Sequence, residues 1–102
     1  MTATLQVLYP IGDDTTFDYD YYASSHYKIL HDTIGAHIES DQVVKGLTGG
    51  PDVPPPFYAV YTGRFKDMAT LQAALAEAGP VLADIPNYYN AQPTMLIGEE
   101  IG

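Results

Sequence analysis

Residues 48–56 read Thr-Gly-Gly-Pro-Asp-Val-Pro-Pro-Pro, two glycines and four prolines in nine positions. Proline lacks a backbone N–H and fixes φ, so this stretch forms neither a helix nor a central strand. It is a semi-rigid loop, and it divides the chain near its middle. The fold is therefore assembled from one unit before the loop and one after it.

Each unit has the same pattern. Thr2 to Tyr9 alternates, with Leu5, Val7 and Tyr9 on one side and Thr4, Gln6 and Leu8 on the other, which is a strand pattern. Pro10-Ile-Gly-Asp-Asp ends it. Asp18 is placed to cap a helix, with Asp20 in its first turn, and the helix runs to about Ile34 with Gly35 as its stop. Residues 36–47 fit a second strand. Beyond the loop, Phe57 to Phe65 alternates strictly, and Asp67 caps a helix whose stripe is Met68, Leu71, Leu75 and Ala78. Gly79-Pro80 breaks it, and Pro80 starts a further helical turn through Ile85, closed by Pro86-Asn87. Gln92 to Ile101 is the last strand.

The order strand–helix–strand–strand–helix–strand predicts an α+β ferredoxin-like plait: a four-stranded antiparallel sheet with both helices on one face. At 102 residues the chain, 1–102, is one domain. It is long enough to bury roughly two-thirds of its unfolded surface. Leu8, Val60 and other apolar groups on the second sheet face call for a partner sheet, hence a homodimer.

Composition excludes several functions. Four Lys and Arg stand against thirteen Asp and Glu, a net charge of −9. Such a surface repels phosphate backbones and anionic lipid, so neither nucleic acid nor membrane is an expected partner. The absence of cysteine excludes thiolate catalysis, Fe–S clusters and thiolate zinc sites. No apolar run reaches the roughly 20 residues of a membrane span. The N-terminus moves directly into a strand pattern and has no signal-peptide character, so a cytoplasmic location is expected.

The chemistry concentrates in Phe17-Asp-Tyr-Asp-Tyr-Tyr-Ala-Ser-Ser-His-Tyr-Lys-Ile-Leu30. On an α-helix Tyr22, His26, Ile29, Leu30 and Thr33 share one face. A titratable imidazole thus lies among phenol and aliphatic groups, where it can act as acid or base near neutral pH; the alternative is a hydrogen-bonded core histidine. Tyr22, one turn earlier, would hold a ligand carbonyl or orient the imidazole, or else pack at the core edge. Asp84 precedes Ile85-Pro86. Near His26 its carboxylate would raise the imidazole pKa and fix the tautomer, unless it is a surface acid or a local cap. Tyr9 and Tyr61 fall on the strand faces that would meet the helices, giving a tyrosine-rich, mostly apolar pocket for a flat aromatic or polyketide-like ligand; plain packing is the other reading. Tyr88 and Tyr89 would close the pocket rim or serve a dimer contact. His31 turns off the His26 face. His37 and Glu39 would share a strand face, but two ligands do not make a metal site, so no metal is expected.

Taken together, Tyr9-Pro10 at the end of the first strand, Phe17-Asp-Tyr-Asp-Tyr-Tyr followed by His26, and Ala83-Asp-Ile-Pro-Asn-Tyr88 with Pro93 resemble the EthD family of the dimeric α+β barrel group. The resemblance covers nearly the whole chain. It implies protomers paired sheet to sheet into a barrel, with a pocket between sheet and helices. The wider group includes cofactor-free monooxygenases, polyketide cyclases and muconolactone isomerases. The family name comes from an ethyl tert-butyl ether degradation cluster, and members carry a loose reductase label. No nicotinamide, flavin or haem motif accompanies that label here, and no cofactor is expected. The resemblance thus implies two functions: a cofactor-independent isomerase, cyclase or oxygenase using His26 as acid/base on a small aromatic, quinone or lactone-like metabolite, or a non-catalytic binding or carrier module of a degradative pathway.

Overall fold

The computed structural model describes residues 1–102. Strand β1 (Ala3–Pro10) leads into α1 (Tyr19–Tyr21), a π-helical segment (Tyr22–His26) and α2 (Tyr27–Ile34), followed by a 3₁₀ turn (Gly35–His37) and β2 (Ser40–Lys45). After the proline-rich loop come β3 (Phe57–Phe65), α3 (Met68–Glu77), α4 (Gly79–Asp84), a 3₁₀ turn (Ile85–Asn87) and β4 (Thr94–Glu99). The strands form one antiparallel sheet in the order β2-β3-β1-β4. This is the α+β ferredoxin-like plait. No helix is long and apolar enough to cross a membrane.

The strand alternation sorts the two sheet faces. Ala3, Leu5 and Tyr9 of β1 and Ala59, Tyr61 and Phe65 of β3 are buried beneath the helices. There Ala3, Leu5, Tyr61 and Phe65 join Leu30 and Ile34 of α2, Leu71 and Ala74 of α3, and Val81 of α4. On the other face the ladder aligns Val44, Val60 and Leu8 in one row across three strands. A second row, Gln42, Thr62, Gln6 and Leu96, is mostly polar.

Several boundaries differ from the sequence reading, each for a local reason. The first helix is not uniformly α. Tyr27 N–H donates to Tyr22 C=O, a π-type i→i+5 bond. Ser24 Oγ donates to Asp20 C=O at 2.7 Å, engaging a carbonyl of the α ladder. The buried positions are Tyr22, His26, Leu30 and Ile34, and Thr33 is half-buried. Gly35 follows the helix but keeps a right-handed φ of −56°, so the chain runs on into a 3₁₀ turn instead of reversing. His37 lies in that turn, paired with Glu77, and not on a strand face with Glu39. β2 and β4 are each shorter than the apolar pattern suggested. In α3, Met68 is exposed and Ala74 takes its place in the buried stripe.

The proline-rich loop is pinned at both ends. Gly46 approaches the β3 backbone so closely that a Cβ there would lie 2.0 Å from Phe57 O, which only glycine permits. Gly50 adopts φ +130° and turns the loop back, closed by Gly49 N–H to Val53 O at 2.9 Å.

Candidate functional site

Two buried clusters meet beneath the helices. One is the aliphatic core. The other is aromatic and centres on Tyr9, whose ring lies edge-on to Phe17, Tyr22, Tyr88 and Tyr89 at centroid distances of 5.1, 5.9, 5.7 and 5.3 Å. Each edge-to-face pair contributes about 1 kcal/mol beyond the area it buries. Two pairings between distant segments assemble the cluster. Asp18 N–H donates to Tyr88 O at 2.9 Å, and Phe17 bridges Tyr89. The Phe-Asp and Asn-Tyr-Tyr segments of the sequence are thus in register with one another.

His26 sits at the boundary of the two clusters and is 2% exposed. Its Nδ1 lies 2.9 Å from Asp84 Oδ2, and its Nε2 lies 3.1 Å from the Tyr88 hydroxyl. Tyr88 is in turn 2.8 Å from the Tyr9 hydroxyl. Asp84, the last residue of α4, also accepts from Tyr21 O–H at 2.7 Å and from Asn87 N–H at 2.9 Å, both on Oδ1. Burial by itself would push the Asp84 carboxyl up. The hydrogen bonds from Tyr21, Asn87 and His26 outweigh it and hold the carboxyl below its ordinary value.

An ionised carboxylate only accepts, which fixes the direction of every bond behind it. His26 Nδ1 carries the proton and donates to Asp84, leaving a lone pair on Nε2. The Tyr88 O–H donates to that lone pair, and Tyr9 O–H donates to Tyr88. Burial pushes the Tyr9 phenol up to about 12; burial raises Tyr22, Tyr61 and Tyr88 as well. His26 itself is shifted down. Desolvation of the cation exceeds the attraction of Asp84. This reverses the sequence expectation that a neighbouring carboxylate would raise the imidazole. The carboxylate is there, but the site is too dry for it to prevail.

Sequence reasoning did not single out Tyr21 and Asn87. Tyr21 is five residues before His26, a separation that an α-helix turns away and the π segment brings back toward the same side. The paired serines just before His26 are the signal that could have found it. Tyr61 ends elsewhere. Its ring passes over Gly63, where a Cβ would lie 2.9 Å from the Tyr61 hydroxyl. The hydroxyl donates to Asp41 Oδ2 at 2.9 Å. Asp41 also accepts from Tyr27 at 2.5 Å and faces His31 Nε2 at 2.6 Å. Tyr88 and Tyr89 line a surface hollow of about 600 Å³ with Phe17, Asp18 and Asn87. They are 3% and 2% exposed, because the Phe17 and Asp18 pairings draw them inward.

His26, Tyr9, Tyr22 and Tyr61 do border a common hollow, together with aliphatic groups from β1, α2, α3 and α4. Its volume is only about 40 Å³. That admits roughly three water-sized groups and not a whole aromatic ring, so only part of such a ligand fits it as packed. Helix–sheet packing has filled the rest. A second hollow of about 290 Å³ lies outside it, bordered by Leu82, Ile85, Pro86, Ala91, Gln92, Pro93 and Met95. No three His, Asp or Glu side chains gather as a metal-binding set.

No family model matches this chain, and no curated protein is detectably similar to it in sequence. Solved structures resemble it in fold. An EthD-like protein from Ralstonia eutropha JMP134 is 28% identical with a TM-score of 0.89, over 99% of this chain and 93% of that one. An ethyl tert-butyl ether degradation (EthD) family protein from Bacillus halodurans C-125 is 23% identical with a TM-score of 0.77, over 99% of this chain and 100% of that one. A dimeric ferredoxin-like protein of unknown function from Thermobifida fusca YX shares the fold at 11% identity and a TM-score of 0.65, over 98% and 92% of the two chains. The structural likeness to EthD-like and EthD family proteins thus extends over nearly the full chain.

Proposed function

We propose that this chain is an EthD-like protein that binds a small aromatic, quinone or lactone-like metabolite between sheet and helices, and that His26 moves a proton to or from it without a cofactor. Isomerisation, cyclisation and oxygenation of an activated ring are the reaction classes that such a step serves. The geometry of His26 carries the reading. A neutral imidazole borders the hollow, Asp84 holds its Nδ1–H, and its Nε2 lone pair faces a hydroxyl. A ligand hydroxyl or acidic C–H taking the place of Tyr88 would give its proton to Nε2, and Asp84 would stabilise the imidazolium that forms. Tyr9, Tyr22 and Tyr61 would bound the ligand, and Tyr88 would yield its place at Nε2.

A second reading has its own support. Every buried side-chain polar atom already has a hydrogen-bond partner, so the hollow offers a guest mainly apolar contact. A carrier that binds without turnover fits that arrangement. In either case the protein acts as a homodimer through its open sheet faces. The Val44, Val60 and Leu8 row and the dimeric relatives support this.

His26→Ala separates the two. Hydroxylated aromatics, quinones and lactones are screened first for binding and conversion by the unaltered protein. Catalysis predicts a fall in turnover of about 10²- to 10⁴-fold with affinity nearly kept. Loss of affinity, with no turnover by the parent on any of these compounds, would leave the carrier reading in its place.

A further inference from the structure

The two hollows are not independent. They share Leu82, Ile85, Pro93 and Met95, which form the wall between them. Leu82 and Met95 are 48% and 43% exposed, so this wall is thinly packed and one of its members is a flexible methionine. The outer volume of about 290 Å³ is close to the roughly 300 Å³ at which small-molecule sites begin. The inner one, about 40 Å³, takes about three heavy atoms. No Asp, Glu, Lys or Arg borders either. A carboxylate or ammonium ligand would lose water in either, facing apolar groups, phenols, Gln92 and an imidazole that burial keeps neutral.

We infer that this is a two-compartment site for an uncharged ligand: the ring lies in the outer groove, and one short substituent passes between Leu82 and Met95 into the inner chamber beside His26. The inference rests on the reading of the His26 hollow as the ligand site and adds to it the ligand's charge, shape and orientation. The ring stays outside because the inner chamber is too small for it. The reacting position is on the substituent or at its attachment, the part that reaches the imidazole.

The test measures binding of para-alkylphenols, from methyl to hexyl, by calorimetry on the full chain. Para-ethylbenzoate serves as the charged counterpart. Affinity is expected to rise about fourfold per carbon up to about propyl, then level off. The benzoate should bind at least about 100-fold more weakly than para-ethylphenol. Leu82→Trp, at a half-exposed position, should abolish the gain with chain length, and Leu75→Ala, which enlarges the inner chamber, should move the plateau outward by one or two carbons. If no alkylphenol binds the unaltered protein, the ligand-site reading falls and the inference with it. If they bind with affinity that climbs steadily through hexyl, or that ignores both substitutions, or if the benzoate binds equally well, the two-compartment inference alone is overturned. A change of oligomeric state in Leu82→Trp would assign the outer groove to a protein contact and also overturn it.

Discussion

His26 lies between a carboxylate that holds its proton and a phenol that faces its lone pair, in surroundings dry enough to favour the neutral ring. Its pKa is lowered on folding, so the unfolded chain binds the proton more readily between the folded value and about 6.5. Stability therefore rises with pH through that window and is lost on acidification below about 6.5. Asp84, also lowered, adds stability that is present above about 3.9 and lost as pH falls through its folded value. Asp84→Asn replaces an acceptor by an amide whose N–H₂ faces donors. It should cost about 2 kcal/mol in chemical denaturation and move the His26 proton to Nε2; under the catalytic proposal it should also remove turnover while leaving ligand binding within a few-fold. An unchanged tautomer, read from imidazole nitrogen shifts, would show that Asp84 does not orient the ring. His26 and Tyr22 could be picked out as candidates because polar groups fall on a helix face that is otherwise apolar, Asp84 from the Ile85-Pro86 that follows it, and Tyr9 and Tyr61 from strand alternation. The sign of the imidazole shift could not, since it is a balance of burial against charge that only the packed structure sets.

At the scale of the element, the π segment decides what faces inward. Ser24 Oγ takes the Asp20 carbonyl, and the wider turn brings Tyr21 toward the side of His26 and Asp84. Deleting Ala23, an exposed residue of that segment, should restore a continuous α-helix in which Tyr22 and His26, three residues apart, still share a side. The expected outcome is unchanged helix content by circular dichroism and a melting temperature within about 5 °C of the parent. A loss of about 10 °C or more would mean that the π turn itself holds Tyr22 against Tyr9. The sequence disclosed each strand and helix through its period and its Asp18 and Asp67 caps, both of which accept as expected, from Tyr21 and Thr70 N–H. It did not disclose the π turn, because a helical face of five residues reads alike with either pitch.

Over the whole molecule, nine tyrosines in 102 residues make alkaline pH a probe of the core. Tyr9 is held near 12, and Tyr22, Tyr61 and Tyr88 are raised as well. Above pH 10 the unfolded chain loses these protons first, so stability falls with rising pH. The 295 nm phenolate absorbance of the folded protein should climb at higher pH than that of the unfolded chain, together with loss of the folded circular dichroism signal. A single transition near pH 10 in the folded protein would mean that these phenols are solvated. The plait itself followed from element order. The size of the hollow did not, because it is what remains after side chains from four elements have packed, and no local pattern encodes that remainder.

The most direct measurement is the nitrogen-detected NMR titration of His26 in the folded protein. A neutral ring protonated at Nδ1, with a pKa below 6.5 and with Nε2 shifts that move when a ligand is added, is the predicted result. A ring that titrates at or above 6.5, or that carries its neutral-state proton on Nε2, would contradict the account.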